Sequence, residues 1–140
     1  INDPKILILD EPTVGLDPEE RVRFRNILSA LGREKIVILS THIVQDVEYI
    51  ADRLIVLKKG EILHDGKIEK ILNTIEGKVW EMDRLPTSNV IVCNTRYDDC
   101  GKALYRVISN EIPNGNAREV KPCLDDLYLY YFHEEERDNE

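Results

Sequence analysis

The sequence predicts an α/β fold: a partial parallel sheet with flanking helices, followed by a small, mostly-β α+β domain. Three observations carry this. Two short apolar runs, Ile6-Leu7-Ile8-Leu9 and Ile36-Val37-Ile38-Leu39, are separated by a segment of helical periodicity. The order strand, helix, strand implies a right-handed crossover and parallel pairing, and runs without polar positions suit strands covered on both faces. Beyond Gly77 the pattern changes to short alternating segments broken by turns, which reads as half-buried strands.

Taken in order, the first run ends at Asp10-Glu11 and is followed by Pro12-Thr13. Asp17 is a good N-cap, Pro18 suits the first helical position, and Glu19 and Glu20 suit the positive end of the helix dipole. Phe24, Ile27, Leu28 and Leu31 then repeat at helical spacing, and Gly32 stops the helix. The second run ends at Ser40-Thr41-His42, and a helix over 43–51 places Ile43, Val47 and Ile50 on one face. A third strand over 53–57 turns at Lys59-Gly60 into a hairpin partner over 61–64. Ile68, Ile71, Leu72 and Ile75 mark a short helix.

In the C-terminal part, strands are expected over 78–82, 90–93, 103–108 and 118–120. A loop is expected over 84–89, with turns at 98–101 and 113–116. Leu124, Leu127, Tyr128 and Tyr131 give a last helix. The domains are therefore drawn at 1–76 and 77–132, with 133–140 an acidic, disordered tail.

The formal charge is −8 and the pI about 5.0, which argues against nucleic acid as a partner, since phosphate binding needs a basic footprint. No apolar stretch is long enough to span a membrane. Cys93, Cys100 and Cys123 form no C-x-x-C pair and read as reduced thiols of a cytosolic protein. His64 and His133 read as structural or solvated.

The chemistry concentrates where the two apolar runs end. Two carboxylates at the end of a buried strand are costly unless a cation, a proton or a ligand offsets them. Neighbours on an extended chain point in opposite senses, so Asp10 and Glu11 are expected to do different jobs. His42 ends the parallel partner at the same sheet edge, where open parallel sheets bind ligands. Each feature alone has a plainer reading: a solvated strand end, a solvated histidine, a helix cap at Asp17. Their occurrence in this order is far less expected by chance.

These segments resemble the ATP-binding cassette ATPases. The run from Ile6 through Asp10-Glu11-Pro12-Thr13 resembles their Walker B segment, Gly15-Leu16-Asp17-Pro18 their D-loop, and Ser40-Thr41-His42 their switch histidine. Ala51-Asp52-Arg53-Leu54 and the Lys59-Gly60 hairpin follow the same pattern. The resemblance covers about half the chain and implies the C-terminal half of a P-loop-type nucleotide-binding domain. It assigns Mg²⁺ to Asp10, directly or through water, catalysis to Glu11 as general base or polariser of the attacking water, catalytic sensing of the γ-phosphate to His42, and a nucleotide-bearing interface with a second subunit to Asp17. The implied reaction is hydrolysis of ATP, in-line phosphoryl transfer to water. The implied partners are a membrane permease and a second nucleotide-binding subunit, at the cytoplasmic face of the cell membrane. The region after Gly77 resembles a C-terminal extension of bacterial exporter ATPases, with Pro122-Cys123-Leu124-Asp125-Asp126 in place of Pro-Thr-Leu-Glu-Asp. Cys123 for the capping Thr weakens that cap by roughly 1 kcal/mol.

No G-x-x-x-x-G-K-[ST] cradle occurs: Gly60 and Gly66 are six apart and precede Lys67-Ile68. The Leu-Ser-Gly-Gly-like signature is also missing. The expectation is a fragment that alone neither binds ATP tightly nor hydrolyses it. In this family the P-loop strand lies between the switch-histidine strand and the strand over 54–57. Its absence is expected to expose apolar strand edges, so that the chain self-associates or rearranges its sheet. Two alternatives stand beside the transporter reading. One is a chromosome-maintenance type ATPase, disfavoured by Pro12-Thr13 and by the lack of heptads. The other is a non-enzymatic dimerisation or regulatory module formed by the acidic C-terminal domain.

Overall fold

In the computed structural model, residues 3–85 and 90–137 are described. Among the described residues the chain is mixed α/β, with small sheets and four helices, and it divides into two compact units, Ile1–Ile68 and Glu69–Glu140.

In the first unit, strand β1 (Ile6–Asp10) pairs in parallel with β2 (Ile36–Ser40), in a register that sets Ile6 beside Ile36 and Asp10 beside Ser40. Helix α1 (Pro18–Leu31) makes the crossover. Its start follows from the sequence: the Asp17 carboxylate accepts from the Glu20 N–H at 2.8 Å, and the Glu20 carboxylate reaches back to the Asp17 N–H at 3.4 Å. This reciprocal box satisfies two backbone donors that a helix start leaves open. Gly32 follows in right-handed conformation, its N–H on the Leu28 carbonyl at 2.9 Å. Helix α2 (Val44–Ile50) packs against α1.

Strands β3 (Leu54–Lys58) and β4 (Glu61–Gly66) form a separate antiparallel hairpin. Lys59 and Gly60 turn it with φ of 51° and 82°. Two consecutive left-handed residues match the twist of the flanking strands, and glycine takes the second at no steric cost.

The expected double covering of the apolar runs is corrected. Ile6, Ile8, Ile36 and Ile38 are 53%, 73%, 60% and 52% exposed. Exposure alternates along β1 and β2, so one face is sheltered and the other open, although the residues on both are apolar. Among the described residues the parallel part of the fold is β1 and β2 alone, and β2 does not pair with β3.

The second unit carries the denser core. Helix α3 (Ile68–Leu72) runs into a 3₁₀ turn, Asn73–Ile75. Strands β5 (Val79–Met82), β6 (Ile91–Tyr97), β7 (Ala103–Ile108) and β8 (Arg118–Glu119) form an antiparallel sheet in the order β6-β7-β5-β8. Trp80, Met82 and Val107 are buried together, with Val90, Tyr105 and Ala117 packed on them. Helix α4 (Leu124–Arg137) lies against β6 and buries Leu124 and Leu127. Two expectations are modified. β6 is longer than 90–93, and α4 continues through part of the stretch read as a tail, because glutamate and arginine are good helix formers. Residues 138–140 of that tail, and 86–89 of the expected loop, lie outside the described residues.

Candidate functional site

Strand pairing builds the site. Asp10 ends β1 beside Ser40, and the Ser40 hydroxyl donates to the Asp10 carboxylate. The chain then leaves the strand. Glu11 has a φ of 45°, a left-handed conformation that costs a non-glycine residue about 1–2 kcal/mol. The expected alternation of Asp10 and Glu11 along an extended chain is thus replaced by a turn. Its closure comes from the Val14 N–H on the Glu11 carbonyl and the Leu16 N–H on the Thr13 carbonyl, both 3.3 Å. The Glu11 N–H still donates to the Ser40 carbonyl at 3.0 Å, which keeps the turn on the end of β2.

This turn carries the Glu11 carboxylate to His42. Oε1 accepts the His42 backbone N–H at 3.2 Å and lies 2.8 Å from Nδ1 of the ring. An ionised carboxylate can only accept, so in this contact Nδ1 is the donor. The ring is 71% exposed and the Glu11 side chain 37%. Glu11 Oε2 is buried and has no hydrogen-bond partner. Asp10, Glu11 and His42 thus share one edge of the β1–β2 sheet, and Asp17 sits at the start of α1 as its cap.

The residues can be tested for fit to a magnesium nucleotide. Asp10 offers a hard carboxylate oxygen at the sheet edge, of the kind Mg²⁺ takes in ones and twos beside phosphate oxygens. The orphaned Oε2 of Glu11 is an acceptor in need of a donor such as a water. Both fit. Among the described residues no group of three or more His, Cys, Asp or Glu is arranged to hold a metal by itself.

Sequence reasoning missed a buried polar network behind this edge. Asp46 and Thr13 are 0% and 1% exposed. Asp46 Oδ2 accepts the Thr13 hydroxyl, and Oδ1 accepts Arg25 Nε at 2.7 Å and Arg25 Nη2. The Arg25 guanidinium also lies over the Tyr49 ring, 4.9 Å from its centroid. A signal was available: Asp46 lies three residues after Ile43 and four before Ile50, on the apolar face of its helix. A carboxylate there must be paired.

The second unit holds another polar cluster, at an open cleft of about 290 Å³ lined by Cys93, Arg106, Cys123 and Asp126 among others. Asp126 is 0% exposed and accepts Arg106 Nε and Nη2 at 2.8 and 2.6 Å and the Cys123 N–H at 2.8 Å. Burial opposes its ionisation, but these donors hold its carboxyl below the usual range. Burial, with the Asp126 carboxylate beside it, pushes the Cys93 thiol up to about 12, and burial raises the Cys123 thiol as well. Protonated thiols are poor nucleophiles and poor ligands.

No family model matches the chain. Curated relatives do. The Nod factor export ATP-binding protein I of Rhizobium leguminosarum bv. viciae is 47% identical over 144 aligned positions, covering 92% of this chain and 46% of that protein. An uncharacterized ABC transporter ATP-binding protein of Methanocaldococcus jannaschii is 35% identical, covering 92% of this chain and 47% of that protein. An energy-coupling factor transporter ATP-binding protein of Clostridium perfringens is 45% identical over 53% of this chain and 27% of that protein. The chain spans less than half the length of these relatives.

Proposed function

The chain belongs with the ATP-binding proteins of ABC transporters, and on that premise we propose that it is the part of a transport ATPase carrying the hydrolytic carboxylate. The observation that carries the reading is the Glu11–His42 contact at the end of two parallel strands, with Asp10 on the same edge.

In this reading Asp10 holds Mg²⁺, directly or through water, and ATP is the substrate. Bound Mg²⁺ supplies charge neutralisation on the phosphates. Glu11 takes the proton of the attacking water through Oε2, the oxygen left without a partner. His42 holds Oε1 through its backbone N–H and Nδ1, which fixes the carboxylate; contact with a γ-phosphate oxygen, which only accepts, would need the ring protonated so that Nε2 also donates. Asp17 caps α1 and stands at an interface with a second nucleotide-binding subunit. General-base action of this kind is worth about 10²–10⁴-fold in rate.

The remaining partner is a membrane permease, and the site of action is the cytoplasmic face of the membrane; among the described residues no helix is long and apolar enough to cross it. Export is favoured over uptake because the similarity to Nod factor export proteins extends over 92% of the chain. The sequence holds no phosphate cradle, so the chain by itself binds ATP weakly; micromolar affinity by calorimetry would contradict this. The test of the catalytic assignment is steady-state ATP turnover in a full-length subunit carrying this sequence. Glu11→Gln is expected to lower it by about 10²-fold or more, and near-normal turnover refutes the role.

A further inference from the structure

We propose that Asp46 is a positioning residue for the Glu11–His42 pair, acting through the buried Thr13–Asp46–Arg25 network. The proposal rests on reading that pair as the catalytic one.

Glu11 and His42 belong to two chain segments that diverge beyond the ends of β1 and β2. On the strand side the segments are tied by the Glu11 N–H on the Ser40 carbonyl. On the far side the tie is Asp46. Thr13 lies two residues after Glu11, in the turn that Glu11 opens, and Asp46 lies four after His42. The Asp46 N–H donates to the Ile43 carbonyl at 3.0 Å, and the Ile43 N–H donates to the Thr41 hydroxyl at 3.0 Å. The segment from Thr41 to Asp46 is therefore a bonded unit with His42 inside it. The Thr13 hydroxyl donates across to the Asp46 carboxylate, so the Glu11 turn and the His42 segment are cross-linked on both sides of the pair.

The charge on Asp46 explains why the tie is firm. A fully buried carboxylate is retained only when its oxygens are satisfied by strong donors. Here Arg25 grips one oxygen with two N–H groups and Thr13 occupies the other. Neither donor can leave without exposing Asp46 to a large desolvation cost. The left-handed φ of Glu11 is the strained conformation that such a tie must hold. The side-chain hydrogen bonds of the network join Thr13, Asp46 and Arg25 to one another, so its effect on chemistry passes through the placement of Glu11 and His42.

The test reads the His42 ring in this chain, with no nucleotide present, by imidazole ¹⁵N chemical shifts at alkaline pH. Wild type is expected in the Nδ1–H form that the Glu11 contact selects. Thr13→Val keeps the side-chain shape and removes the hydroxyl, and Asp46→Asn keeps the shape and removes the charge. Both are expected to lose the Nδ1–H signature toward the Nε2–H form that free histidine prefers. Leu28→Val trims a buried α1 side chain outside the network and is expected to leave the signature in place. A folded Thr13→Val chain with an unmoved His42 signature overturns the proposal, even where Asp46→Asn fails to fold. Normal turnover of Glu11→Gln overturns the catalytic reading instead, and leaves the ¹⁵N result to stand or fall alone.

Discussion

At the scale of single residues, the fully buried carboxylates Asp46 and Asp126 are each met by a guanidinium. Asp126 is the clearest case. Its carboxyl is held below the ordinary value despite burial, by Arg106 and by the Cys123 backbone and thiol. A depressed carboxyl contributes stability above its unfolded value near 3.9, and that contribution is lost as pH falls through the folded value. The second unit should therefore lose stability on acidification below about pH 4. Asp126→Ala leaves the Arg106 guanidinium, 26% exposed, without its carboxylate, and should cost about 3 kcal/mol at neutral pH. Denaturant melts of this unit at pH 7 and pH 3 check both: the two proteins should differ less at pH 3, and an equal difference at both pH values would contradict the assignment. The sequence marked Cys123 and Asp126 as a helix start. It could not mark Arg106 as their partner, because the pairing depends on β7 lying across from that start.

At the scale of elements, local chemistry was legible and coverage was not. Helix α1 could be read in full, since Asp17, Pro18 and Glu20 encode its start within four residues. Replacing Asp17 by Ala removes the cap and should cost about 1 kcal/mol, measurable as a lower denaturation midpoint of the first unit. An unchanged midpoint would mean the box in the structure contributes nothing. The Lys59-Gly60 turn was legible for the same reason, as its residue types fit the left-handed angles it adopts. Three features were not legible. The exposed face of β1 and β2 depends on what lies over a strand, and an apolar run does not record that. The turn at Glu11 replaces an extended conformation because strand pairing and the Thr13–Asp46 tie hold it there, and the partners are far apart in sequence. The helical residues of the supposed tail carry charges that suit a solvated helix as well as a disordered end.

At the scale of the whole molecule, the first unit is the less complete. Among the described residues its buried apolar side chain is Leu28, whereas the second unit buries nine. It also leaves Ile6, Ile8, Ile36 and Ile38 open on a two-stranded sheet whose outer edges have no strand partner among the described residues. Apolar faces and free strand edges of this kind promote association. Light scattering of the chain should show a mass above that of a monomer that rises with concentration. A double substitution, Ile8→Lys with Ile38→Lys, should return it to monomer. A wild-type chain that stays monomeric at all concentrations would contradict this.

In the proposed mechanism Glu11, held by His42, is the base for hydrolysis of ATP. The most direct measurement is single-turnover hydrolysis of prebound ATP in a full-length subunit carrying this sequence, wild type against Glu11→Gln. In Glu11→Gln the ATP affinity should be unchanged and the chemical step slowed by about 10²–10⁴-fold. Equal single-turnover rates in the two proteins would contradict it.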